Sequence, residues 1–124
     1  AASDVYKRQM AEILRIKEVL QKAKSGKRCL IILDEMFRGT NAQDAFEASV
    51  AVNEILKKYS HCSFLISTHI LEYAQHFEKD KTCCFYYMDS KIENGQFLCP
   101  YQLRQGISEA KVGYWLVKKE LGGL

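Results

Sequence analysis

The 124-residue sequence is short of several features that would narrow its function at once. No apolar run approaches the roughly 18 consecutive residues of a membrane span. The opening "AASDVYKRQ" is too polar for a signal peptide, so a cytoplasmic protein is expected. Its five cysteines, Cys29, Cys62, Cys83, Cys84 and Cys99, are odd in number and form no C-x-x-C pair, which argues against a disulfide framework or a zinc site. They sit mostly in apolar runs and read as buried, reduced thiols. The formal charge of +3 is mild, with Lys and Arg interspersed among Glu, and gives no ground for inferring a nucleic-acid surface. Internal repeats, low-complexity segments and signs of a second domain are absent. The length suits one core and one globular unit.

What is present is an alternation of helical and strand-like patterns. "MAEILRIKEVLQKAK" carries Met10, Ile13, Ile16, Val19, Leu20 and Ala23 at helical spacing, and Gly26 supplies a stop. "CLIILD" is too short for a helix and apolar at consecutive positions, as in a parallel strand covered on both faces. In "RGTNAQD", Thr40 and Gln43 have capping-box spacing and Asn41 is a second cap candidate. A helix to about Tyr59 follows, with Ala45, Ala48, Val52, Ile55 and Leu56 as its buried stripe. "CSFLIS" repeats the strand pattern, and Thr68 is placed to cap a short helix through "HILEYAQHF". Strand, helix, strand, helix predicts a right-handed parallel crossover.

After Lys81 the pattern turns antiparallel. "TCCFYYMDSKI" and "QFLCPYQL" flank Asn94 and Gly95, the dipeptide best suited to a type I′ hairpin turn. The single proline, Pro100, lacks a donor N–H and favours an edge position. A last helix is predicted from Ser108 to about Leu121, burying Ala110, Tyr114, Val117 and Leu121.

Ligands of open α/β sheets bind beyond the carboxyl ends of the strands. One such end carries Asp34 and Glu35, the other Ser67, Thr68 and His69. In neighbouring parallel strands the acids and the histidine emerge on one edge, and the roughly 35 residues between them suit one βαβ unit. The set suits nucleotide hydrolysis: one carboxylate for the hydration shell of Mg²⁺, the next for the attacking water, an imidazole for the γ-phosphate. This is a Walker B arrangement with a switch histidine, against the plainer reading of solvated acids at a strand end and a surface or capping histidine.

Other motifs carry less. "KSGKR", Lys24 to Arg28, lacks the first glycine of a phosphate loop and has Arg28 where the hydroxyl belongs, so it reads as a basic turn. His61, Cys62 and His76 lack metal-ligand partners at useful spacing. Phe85, Tyr86 and Tyr87 can stack bases, yet in a β run they read as core and sheet face.

"LDEMFRGTNAQD" followed by "FLISTH" resembles the ATPase domain of the MutS family of DNA mismatch-repair proteins, through Asp34, Glu35, Arg38, Gly39, Thr40, Asp44, Thr68 and His69. The likeness extends to "MAEILRIKEVL" and to "YQLRQGISEAKVGYWLVKKELG", through Tyr101, Leu103, Gly106 and Gly113. It covers residues 10 to 122 and leaves residues 1–9 as an unmatched segment, so residues 10–124 are expected to be the C-terminal part of a MutS-like ATPase domain. Phe37, Ala45, Lys111 and Val112 depart from the family pattern and suggest a divergent branch.

The resemblance implies a P-loop NTPase-like, ABC-type α/β fold, with a parallel sheet flanked by helices and an antiparallel C-terminal hairpin. It implies ATP and Mg²⁺ as cofactors. Asp34 is then the Mg²⁺ residue, acting through water. Glu35 and His69 are the catalytic pair, and Thr68 stands with them at the nucleotide. Arg38, Gly39, Thr40, Asn41 and Asp44 become a loop meeting a second ATPase subunit, in a homodimer of the full-length protein. DNA is expected to be bound by upstream domains, and no membrane is implied. The motif G-x-x-x-x-G-K-[ST] does not occur in the chain, so hydrolysis is expected of the parent protein and not of these residues alone. Two alternatives remain: a non-hydrolysing dimerisation or partner-binding module, motivated by bulky Phe37 beside the acids, and another ABC-type DNA-repair ATPase.

Overall fold

The computed structural model describes residues 2–109 and 111–124. The chain divides into two compact units, the first ending at Phe77 and the second comprising Glu78–Leu124, where the length alone led to an expectation of one.

The first unit opens with helix α1, Ala2–Lys24, continuous across the expected boundary between residues 9 and 10. Ile16 and Ala23 are buried, whereas Met10, Ile13 and Leu14 stay exposed. The helix ends as anticipated at Gly26, whose φ of +87° lets its N–H return to the Ala23 carbonyl at 3.2 Å.

Strand β1, Leu30–Asp34, is followed by helix α2, Ala42–Leu56, and strand β2, Ser63–Ser67. The two strands pair in parallel, in a register that sets Leu30 opposite Ser63 and Asp34 opposite Ser67. Asn41 is the N-cap of α2, its Oδ1 accepting from the Asp44 N–H at 3.0 Å, so the second of the two cap candidates is used and not Thr40. The stripe of α2 buries Ala45, Val52 and Leu56 as expected, together with Ser49 and Asn53, while Ala48 and Ile55 of the expected stripe are only half-buried. The short helix α3, Leu71–His76, packs on α2 through the Tyr73 hydroxyl, which donates to Asn53 Oδ1 at 2.7 Å.

The β1–β2 pair is not covered on both faces. Ile31 is buried on one side, while Leu30, Ile32 and Leu65 on the other are 64–68% exposed. Alternation is the reason: residues of one parity meet the helices, and those of the other parity have no layer over them among the described residues.

In the second unit, β3 (Tyr86–Met88) pairs antiparallel with β6 (Leu103–Gln105), and β4 (Lys91–Glu93) with β5 (Gln96–Leu98). Asn94 and Gly95 join β4 to β5 with φ of +52° and +73°, the signs a type I′ turn requires. Helix α4 spans Val112–Leu121, four residues later than the predicted start. Its expected buried stripe is not formed: Tyr114, Val117 and Leu121 are each more than half exposed, and Ala110 lies outside the described residues. Lys118 and Lys119 lie over the rings of Tyr114 and Trp115, so the aromatic faces are occupied from their own helix.

The architecture is therefore a small α/β one with helices and short sheets. The extended parallel sheet of a P-loop NTPase-like fold is not formed among the described residues, where β1 and β2 are the parallel pair and the other two sheets are antiparallel. The cause lies in the connections: a helix crosses between β1 and β2, whereas a two-residue turn joins β4 to β5 and admits only antiparallel pairing. The cysteines are free, as expected, but only Cys62 is buried, and Cys84 and Cys99 are exposed. No helix among the described residues is long and apolar enough to cross a membrane.

Candidate functional site

The carboxyl ends of β1 and β2 form one edge, because the parallel register keeps their tips level. Asp34 faces Ser67 across the ladder, and the Ser67 hydroxyl donates to Asp34 Oδ1. The next backbone N–H, that of Glu35, donates to the Ser67 carbonyl at 2.9 Å and to Ser67 Oγ at 3.3 Å. This extends the pairing one residue past the strand.

Glu35 then leaves the ladder with φ of +48°, in the left-handed region that few non-glycine residues enter. Its carboxylate, one-third exposed, is flanked on both oxygens. His69 Nδ1 lies 3.8 Å from Oε1, and Arg38 Nε lies 3.4 Å from Oε2. The imidazole itself is 70% exposed, so this contact sits at the open mouth of the edge. Thr68, between Ser67 and His69, turns its hydroxyl to accept from the Ile70 N–H at 3.0 Å. The bond closes a local turn ahead of α3, whose own N-cap, Ile70, makes no side-chain cap bond.

The loop after Glu35 is held from two sides. Phe37 has φ of +61°, and its N–H donates to Glu12 Oε1 of α1 at 2.6 Å. Phe37 is buried and lines a hollow of about 380 Å³ with Ile13, Ile16, Leu20 and Val52. Thr40 Oγ1 accepts from Gln9 Nε2 at 2.9 Å. Gly39 and the exposed Arg38 border a second hollow with Arg8 and Glu12. Asn41 and Asp44 bond to each other at the start of α2, through Asn41 Nδ2 and Asp44 Oδ2 at 2.7 Å.

The sequence-predicted residues Asp34, Glu35, Thr68 and His69 thus share one edge, and Arg38 joins them through Glu35. Gly39, Thr40, Asn41 and Asp44 lie along the loop that leads away from it. Sequence reasoning missed two contributors. Ser67 was placed at the strand end without a role, because its bond to Asp34 appears only once the register is known. Glu12 had a legible signal: an acid on the same helical face as Ile16 and Ala23, spaced by four and eleven residues.

The two carboxylates are hard oxygen donors at an open edge, which suits an ion such as Mg²⁺ that keeps most of its water. Asp34 keeps Oδ2 apart from the oxygen that Ser67 engages.

Comparison with known proteins gives this geometry a context. The family model described as MutS domain V matches residues 2–120, a span that takes in most of the segment set apart at the start of the chain. The DNA mismatch repair protein MutS of Aquifex pyrophilus is 31% identical over 115 residues, 93% of this chain and 13% of that protein. The DNA mismatch repair protein MutS of Shouchella clausii is 30% identical over an alignment of 127 residues, taking in all of this chain and 14% of that protein. The DNA mismatch repair protein spellchecker 1 of Drosophila melanogaster is 27% identical over 104 residues, 84% of this chain and 11% of that protein. The chain therefore spans a small fraction of the length of the curated relatives it matches. With nearly its whole length inside the domain V match, the chain belongs to the MutS family.

Proposed function

We propose that these residues form the Walker B and switch-histidine side of a MutS-type, ABC-type ATPase domain with a P-loop NTPase-like sheet, and that the parent protein couples Mg-ATP hydrolysis to DNA mismatch repair. The observation that carries the reading is the meeting of two strand tips: Asp34 ends β1 with Glu35 just beyond it, Ser67 ends β2 with Thr68 and His69 just beyond it, and His69 Nδ1 stands 3.8 Å from Glu35 Oε1. The names of the relatives support the repair role.

Each side chain has work suited to its position. Asp34, exposed at the tip, holds an ion through water with the oxygen that Ser67 leaves free. Mg²⁺ bound there supplies positive charge to the triphosphate. Glu35 orients a water and accepts its proton; an apolar strand gives it a rigid base, and Arg38 and His69 stand beside its two oxygens. His69, on the open side of Glu35, offers an N–H to a phosphate oxygen, and Thr68 fixes the turn that aims it. The loop from Arg38 to Asp44 meets a second subunit, and DNA is held by other domains of the parent.

Nucleotide binding also needs a phosphate-cradling loop, which is not among these 124 residues. The residues present fit the hydrolytic side of the site, and the cradle must come from elsewhere in the parent. Glu35→Gln in the full-length protein tests the reading. ATP binding, measured by equilibrium filtration, is retained while turnover falls by roughly two orders of magnitude or more. Turnover equal to that of the unaltered protein removes Glu35 from the role and the reading with it. The non-hydrolysing alternative is motivated by bulky, apolar Phe37 beside the acids, and Phe37 is buried within its own chain.

A further inference from the structure

The hydroxyl of Ser67 touches both halves of the acidic pair. It donates its proton to Asp34 Oδ1 and, with its lone pair, accepts from the Glu35 N–H at 3.3 Å. One small group on the neighbouring strand thus ties the side chain of the first acid to the backbone of the second. The position follows from register: Asp34 and Ser67 are partners in the parallel ladder, and partners project to the same face of a sheet. Both are exposed, so the bond is not there to satisfy a buried group.

We propose that Ser67 is a positioning residue for the metal, setting the orientation of the Asp34 carboxylate so that Oδ2 faces the ion's water shell. The proposal rests on the reading of Asp34 given above. An aspartate at an open strand tip is free to rotate about its carboxylate bond and offers either oxygen. A donor on Oδ1 selects one orientation in advance and lowers the ordering cost of binding the hydrated ion. The second bond, to the Glu35 N–H, holds the spacing between the two carboxylates while Glu35 departs from the ladder at φ +48°. Threonine keeps the hydroxyl and suits a strand end; alanine removes the hydroxyl and little else.

The test is Mn²⁺ binding to the full-length protein with ATP present, read as free Mn²⁺ by electron paramagnetic resonance, with the Mg²⁺ dependence of turnover measured in parallel. Ser67→Ala is expected to weaken Mn²⁺ binding roughly tenfold and to raise the Mg²⁺ needed for half-maximal turnover by a similar factor. Turnover at saturating Mg²⁺ should fall less than about threefold, since the reacting groups stay in place. Ser67→Thr should restore both values. Should Ser67→Ala fail to fold, Ser67→Cys, a weaker donor of similar size, carries the same expected direction.

Unchanged Mn²⁺ affinity in Ser67→Ala, alongside a clear loss in Asp34→Asn, overturns the role of Ser67 and leaves the reading of Asp34 standing. Equal losses in Ser67→Ala and Ser67→Thr overturn it as well, because the hydroxyl is then not the cause. Unchanged affinity in Asp34→Asn overturns the reading of Asp34 and the inference together.

Discussion

His69 Nδ1 and Glu35 Oε1 stand 3.8 Å apart although 34 residues separate them in the chain, and what brings them together is the parallel ladder of β1 and β2. On the opposite oxygen of the same carboxylate sits Arg38, with Nε 3.4 Å from Oε2 and a side chain that is 81% exposed. Glu35 is thus bracketed by two groups of unequal commitment. The imidazole is anchored to the next strand tip, whereas the guanidinium hangs on a loop in water.

That inequality makes Arg38 the informative substitution. An exposed ion pair contributes little in water, so Arg38→Ala should change the urea unfolding free energy of this chain by less than about 0.5 kcal/mol. If the loop meets a second subunit, the same change should make turnover of the full-length protein depend more steeply on its concentration. A stability loss above about 1 kcal/mol would assign Arg38 to the fold of its own chain instead.

Much of this edge was legible before any coordinates. Five consecutive apolar residues ending in Asp34 and Glu35, and a similar strand ending ahead of Thr68 and His69, suffice to predict two parallel tips, and the Asn94-Gly95 turn was equally plain. What escaped were properties that depend on partners. Burial of the α4 stripe was predicted from period alone, but period says only which residues share a face, not that a layer lies against it. Covering of β1 on both faces failed for the same reason at Leu30 and Ile32. The bonds from Ser67 to Asp34 and from Glu12 to Phe37 needed register and helix placement, which no local pattern encodes.

The thiols should separate by environment. Desolvation, reinforced by neighbouring Cys62, raises the Cys29 thiol above its ordinary range, and Cys29 Sγ and Cys62 Sγ both point to the Lys27 carbonyl at 3.4 and 3.6 Å. Alkylation needs the thiolate. At pH 8, iodoacetamide should therefore label exposed Cys84 and Cys99 well before Cys29, with the order read by peptide mass spectrometry. The linkage has a definite sign. A thiol whose pKa is raised by folding leaves stability whole below the unfolded thiol pKa, about 8.5, and subtracts from it as pH climbs past that value. Replacing Cys29 by Ser should flatten that alkaline decline, and an unchanged slope would place its origin elsewhere.

Between α2 and α3 a single buried polar contact can be weighed. Tyr73 donates to Asn53 Oδ1, while Asn53 Nδ2 is buried with no hydrogen-bond partner. Tyr73→Phe leaves the amide still less satisfied and should cost about 1–3 kcal/mol in urea unfolding. Adding Asn53→Leu removes the orphaned amide, so the double variant should recover part of that loss. Simple additivity of the two costs would show that the contact does not couple them.

The turn after Glu35 offers the sharpest comparison of opposing terms. Phe37 carries a φ of +61°, unfavourable for a bulky residue, and is held there by the Glu12 carboxylate on its N–H and by burial of its ring. Phe37→Gly relieves the backbone, worth about 1 kcal/mol, yet loses a buried ring worth roughly 3–5 kcal/mol, so the ring should win and the variant should be less stable by at least about 2 kcal/mol. Glu12→Ala should cost about 1.5–3 kcal/mol, the range for a bond to a charged acceptor, and Glu12→Gln about half as much because a neutral oxygen remains to accept. Urea denaturation of the three variants orders them directly. A Phe37→Gly chain more stable than the original would mean that the strained backbone, and not the packed ring, dominates at this turn.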